Sequence, residues 1–248
     1  MEFDTALLGF AAIIAFATYV QTVTGFALGM IVMGAVTAFD LVPIAFTSVV
    51  ISLVTLANGI FAIKCNMNAV NRKAVLATSI GILPGLVVGL WLLDYLSEEF
   101  AALLQVLLGI TIIVGGLMIM LKPEPIKAPS GNPVFAGSGA AAGLLAGLFS
   151  MAGPPLVYQF YRQPFEMLTI RLSLLTIFLT SSLLRTTMVG IQGGLTLDMF
   201  TFSAICLPIV VAFTWLGRKF PPPVSNNNLR RIAFGLLILI GISLLITV

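Results

Sequence analysis

Polar residues in this chain fall into short clusters, and the apolar runs between them are about as long as a bilayer is thick. The runs cover residues 6–39, 43–63, 74–93, 100–121, 134–161, 167–191, 199–216 and 232–248. Most approach the roughly 20 residues that a helix needs to cross a hydrocarbon core. Period-two alternation is missing, and lipid offers no partner to an unpaired amide, so the pattern predicts an all-α membrane bundle and not a barrel. Two of the runs are interrupted by small and polar residues, QTVTG at 21–25 and SMAGPP at 150–155.

Composition agrees with the pattern. Hydrophobic residues make up 59% and charged residues 8% of the 248, and the mean hydropathy is +1.13, which excludes an ordinary soluble domain. The chain has no histidine, and Cys65 and Cys206 lie far apart. Neither a disulfide nor a metal site is expected, and no cofactor. An enzyme would need a nucleophile, a base or a metal, and no histidine or buried carboxylate supplies one. The N-terminus carries Glu2 and Asp4 where a signal peptide would be basic, so no cleaved leader is expected.

The net charge of +3 is a topology signal, not a nucleic-acid footprint. Lys64, Arg72 and Lys73 mark a cytoplasmic loop, Asp94, Glu98 and Glu99 an external one, and Lys122 and Lys127 bring the chain back inside. From the other end, Arg218, Lys219, Arg230 and Arg231 are inside and Asp198 outside, so the run 167–191 starts inside, as Arg162 and Arg171 require. The run 134–161 then begins and ends inside, and must dip in and return, turning at SMAGPP; glycine and proline suit a break followed by a new helix. By the same reasoning 6–39 goes from outside to outside, turning near Gln21 to Gly25. Eleven of the twelve Lys and Arg residues fall on the cytoplasmic side, and Arg185 does not.

The two halves resemble each other. TSIGILPG at 78–85 matches FSAICLPI at 202–209, LLGITIIVGG from Leu107 matches AFGLLILIGI from Ala233, and the same spacing brings TGFALGM onto AGPPLVY. The expected organisation is an inverted repeat, each half a re-entrant or broken helical hairpin followed by three transmembrane helices. Its parts are a first repeat at 1–121, a cytoplasmic linker at 122–133 and a second repeat at 134–248. Inverted repeats with interrupted elements at matching places point to a secondary transporter with a midplane site. The glycines of GILPGLVVG at 81–89 are expected to be packing contacts.

Two helix starts facing each other at depth favour an anion. Thr22, Thr24, Gly25, Ser150, Ala152 and Gly153 are the expected tip contacts, with Gln21, Asn58 and Arg185 as side-chain donors. Arg185 lies fourteen residues beyond Arg171, roughly 20 Å along a helix and too deep to reach back to the cytoplasmic surface. No acid is predicted at its depth, so a bound anion is its expected partner, the alternative being an arginine that reaches outward to the external headgroups. Ser181, Ser182 and Thr55 lie in the same part of the two halves.

QTVTGF in the first half and GLFSMAGPPLVY at 147–158 in the second resemble the sulfite exporter TauE/SafE family over nearly the whole chain. Many members have a denser glycine cluster after the first TGF, where Ala27 and Leu28 stand here. The resemblance implies a transporter or uniporter that exports sulfite, a sulfonate or a related small organosulfur anion from the cell across the inner (cytoplasmic) membrane. Import of the same or other small organic anions shares every one of these features. The expected partners are the small anion and the lipid bilayer, with no nucleic acid, and the sequence leaves the oligomeric state open.

Overall fold

In the computed structural model, residues 3–24, 27–63, 67–120, 124–220, 222 and 226–247 are described, and they form α-helices with no strand among them. In chain order the helices are α1 (Phe3–Thr24), α2 (Leu28–Ala38), α3 (Ile44–Ile63), α4 (Arg72–Glu99), α5 (Ala101–Met120), α6 (Asn132–Phe149), α7 (Gly153–Tyr161), α8 (Met167–Ile191), α9 (Leu197–Lys219) and α10 (Asn226–Ile246), with a 3-10 turn at Met67–Ala69. Helices α4, α5, α6, α8 and α9 are each long and apolar enough to cross a membrane. Leu76, Ile80, Leu83, Val87 and Trp91 form an exposed stripe along α4, a surface that suits lipid. Trp91 stacks on Tyr95 near the acidic end of α4, and Lys219 lies 4.6 Å over the ring of Trp215 at the basic end of α9. Both placements suit aromatic anchors at a membrane boundary.

Glycine spacing decides the closest packing. Gly81, Gly85 and Gly89 on α4 and Gly139, Gly143 and Gly147 on α6 recur at every fourth residue, so each set lines one face of its helix. A Cβ on the α4 set would strike the carbonyls of Ala136, Ala140 and Leu144, and on the α6 set those of Thr78 and Ile82 and the backbone of Gly89. The two backbones touch along a seam that no larger residue permits, as expected for the glycines at 81–89. α1 and α9 pair through side chains instead. Phe10 meets Phe202 edge to face at 5.7 Å, the Tyr19 hydroxyl donates to Phe220 O at 3.0 Å, and Thr22 rests against Gly217.

Both interrupted runs are hairpins. Ile126 N donates to Arg162 O at 2.8 Å and Ser130 N to Gln163 Oε1 at 2.8 Å, so α6 and α7 begin and end on one side. Leu41, just beyond α2, packs on Gly9 near the start of α1. α6 breaks at residues 150–152, inside SMAGPP. α1 does not break at Gln21; it runs on through Thr24, and Ala27 is the N-cap of α2. The end of α1 at Thr24 thus lies within the expected Gln21–Gly25 range, toward its far end. Each tip holds a non-glycine residue in the left-handed region, Ala27 at φ 89° and Ser150 at φ 56°.

The packing order has a regularity. α4 lies on α6 and α9 on α1, α2 on α10 and α7 on α5, α3 on α9 and α8 on α4, while α3 faces α8 and α5 faces α10. Exchanging every helix for the one five places away leaves these pairings unchanged. Pro84 and Pro208 lie inside α4 and α9, and each of these helices starts from a capping side chain. Asn71 Oδ1 accepts from Ala74 N at 3.1 Å, and Thr196 Oγ1 from Met199 N at 3.4 Å.

Candidate functional site

The two tips meet. Met30 of α2 and Pro154 of α7 both stand against Gly115 of α5, and Gly29 faces Ser150 O. Between them lies a partly open cavity of about 80 Å³, whose walls include Gln21, Leu28, Thr55, Ser150, Gly153, Phe178, Ser182 and Arg185. A crevice of about 30 Å³ adjoins it past Gln21, Thr55 and Phe178, at Leu175 and Leu179, toward the end of α8 that carries Arg171.

Helix starts supply the backbone donors. The first bonded amide of α2 is Ile31 N, which donates to Ala27 O at 2.9 Å. The amides of Leu28, Gly29 and Met30 therefore lack an intrahelical acceptor and carry the positive end of the helix, and all three residues line the cavity. The start of α7 offers less. Pro154 and Pro155 have no N–H, which leaves the amide of Gly153. A Cβ on Gly153 would meet nothing within 4 Å, so its surroundings are open.

Arg185 is 1% exposed, and its hydrogen-bond partners are uncharged. Nε donates to Ala146 O at 2.9 Å, Nη2 to Ser48 Oγ at 2.5 Å and to Gly147 O at 3.3 Å, and Nη1 to Ser52 Oγ at 3.4 Å. Ala146 and Gly147 belong to the last turn of α6, the negative end of that helix. A guanidinium has five N–H groups, so one, on Nη1, is left for a ligand. The protein thus compensates much of the charge with carbonyls and hydroxyls, and the expected anion has a single N–H of the arginine left to meet. Ser52 Oγ also lies 2.7 Å from Ser150 Oγ, linking α3 to the second tip.

The expected site residues are distributed unevenly. Gln21, Ser150, Ala152, Gly153 and Arg185 line the one cavity, together with Thr55, Ser181 and Ser182. Thr22 does not line it; its hydroxyl donates to Thr18 O at 2.8 Å and its Cβ and methyl group pack on Gly217. Gly25 lies outside the described residues, as do the side chains of Thr24, which closes α1, and Asn58, within α3. Ser181 Oγ donates to Phe178 O at 3.0 Å. Gln21, Thr55 and Ser182 make no side-chain hydrogen bond to a described residue. Sequence reasoning passed over Ser48 and Ser52, both fully buried. Their signal is the spacing of four in TSVVIS, which puts two hydroxyls on one face of an apolar helix.

A family profile described as Sulfite exporter TauE/SafE matches residues 10–244. The chain is also 48% identical over 240 residues to a probable sulfite/organosulfonate exporter TauE of Cupriavidus necator, covering 97% of this chain and 94% of that one. No solved structure matches the chain.

Proposed function

We propose that this chain, which belongs to the sulfite exporter TauE/SafE family, carries sulfite, a sulfonate or a related small organosulfur anion outward across the inner (cytoplasmic) membrane. The observation that carries this reading is the cavity between the tips. There the free N–H of Arg185 and the amides that open α2 adjoin Gln21, Thr55 and Ser182, whose side chains have no described partner. The Arg185 N–H and the α2 amides can only donate, and an anion is a ligand that satisfies them.

The architecture that would move the anion is an inverted repeat, 1–121 against 134–248, joined by 122–133. Supporting it are the pairings that survive a shift of five helices and the reversal of charge between two corresponding helices. α4 runs from Arg72 and Lys73 to Glu98 and Glu99, and α9 from Asp198 to Arg218 and Lys219. Rocking one half on the other would open the cavity to each side in turn. Exporting one negative charge down an inside-negative potential is favourable by about 2.3 kcal/mol per 100 mV, so voltage alone suffices as a driving force.

Proteoliposomes loaded with sulfite, with a carboxylate as control and an imposed potassium-diffusion potential, test the reading. Sulfite efflux should rise with an inside-negative potential and exceed that of protein-free vesicles. Efflux no faster than from protein-free vesicles would rule the function out, and movement only from the external face of oriented vesicles would make the protein an importer.

A further inference from the structure

Hydroxyl groups carry one proton each, and the chain of hydroxyls beside Arg185 has a direction. Ser52 Oγ donates to Ser48 O at 2.9 Å, which uses its only proton. Arg185 Nη1 cannot accept, so its 3.4 Å contact with Ser52 Oγ occupies a lone pair of the serine. The 2.7 Å contact between Ser52 Oγ and Ser150 Oγ then falls on the remaining lone pair, and the proton in it comes from Ser150. With its proton turned away to Ser52, Ser150 has only lone pairs to offer the cavity that it lines.

We infer that Ser150 meets the transported anion as a hydrogen-bond acceptor, fixed in that role by Ser52, and that the site selects anions bearing a donor of their own. Such an anion places its charged oxygens on the Arg185 N–H and the α2 amides and its own O–H or N–H on Ser150 Oγ. A donor-free or fully deprotonated anion instead sets an oxygen against the serine lone pair, and either meets repulsion or must turn the hydroxyl chain round. Ser52 acts through Ser150 and Arg185, and is a positioning residue. Its place on α3, buried and between two other helices, gives it no route to the ligand.

This inference rests on the anion-site reading, and the experiment separates the two. Binding of ethanesulfonate and of 2-hydroxyethanesulfonate to the purified, detergent-solubilised full chain is measured by calorimetry at a pH where both are monoanions. They differ by one hydroxyl. The parent should prefer the hydroxylated anion by about two- to tenfold, the worth of one ordinary hydrogen bond. Ser150→Gly, compatible with the left-handed φ of 56°, should erase the preference and bring the two affinities together. Ser52→Ala frees the Ser150 proton and should reduce or reverse the ratio, and Ser52→Thr, which keeps the hydroxyl, should restore it. A merely structural serine would weaken both ligands alike. Equal binding of the two sulfonates by the parent, or an undiminished ratio in Ser150→Gly, overturns the acceptor role and leaves the anion site standing. If neither sulfonate binds the parent, the anion site falls and this inference with it.

Discussion

Arg185 Nε donates to the carbonyl oxygen of Ala146 at 2.9 Å, so an arginine on α8 holds the end of α6 as well as lining the cavity. Two effects follow from replacing it. Arg185→Gln leaves buried hydroxyls and carbonyls without their donor, at about 1–3 kcal/mol each where nothing else satisfies them, and should lower the unfolding temperature in detergent along with anion affinity. Arg185→Lys restores a charge but not the separate reach of Nε, Nη1 and Nη2, and should recover stability in part while affinity stays about tenfold down. An Arg185→Gln protein as stable as the parent would show that these contacts do not hold α6.

Gly153 predicts the opposite balance. With nothing within 4 Å of its Cβ position, Gly153→Val should assemble and unfold much like the parent, yet its methyl groups enter the space beside the one free amide of α7. Anion binding should fall by roughly tenfold, about 1.4 kcal/mol, with little change in thermal midpoint. A large loss of stability with affinity intact would remove Gly153 from the site.

Gly143 and Gly137 lie on the same helix and should behave differently. Gly143→Val drives a side chain into Ile82 O and should cost about 1–3 kcal/mol or more through forced separation of α4 and α6. Gly137 has nothing within 4 Å, and Gly137→Ala should stabilise by about 0.5–1 kcal/mol as an ordinary helix position. Comparing the two midpoints in one detergent checks the seam, and equal shifts would argue against it.

Ala27 holds φ at 89°, a conformation that costs an ordinary residue about 1–2 kcal/mol. Ala27→Gly removes that strain and gives back about 0.4–1 kcal/mol through a freer unfolded chain. A net gain of up to about 1.5 kcal/mol is expected, read as a higher midpoint. A lower midpoint would show that Ala27 is held without strain.

The helical bundle and the second hairpin are legible in the sequence because charge and chain chemistry agree there: Lys127 and Arg162 sit at the two ends of one apolar run, and Gly153 with Pro154 and Pro155 marks the new helix. The first helix ends only at Thr24, late in the expected Gln21–Gly25 range, because nothing in Gln21–Val23 forces a break. A threonine inside a membrane helix can return its hydroxyl to the backbone, as Thr22 does to Thr18 O, and the helix continues. The partners of Arg185 were hidden for a different reason. Backbone carbonyls at a helix end carry no residue identity, and Ser48 and Ser52 read as small residues until α8 is laid against α3.

The scarcity of donors around the cavity bears on how long a passenger stays. Four of the five Arg185 N–H groups are already engaged, and two prolines remove amides from the start of α7. A pocket with a full guanidinium fork and two complete helix starts would hold an oxyanion tightly and release it slowly. Since affinity differences between related sites lie mostly in the dissociation rate, thinning the donors shortens the dwell time. Conduction needs binding strong enough to enter and weak enough to leave, and under the proposed anion site Pro154, Pro155 and the engaged arginine would meet the second requirement.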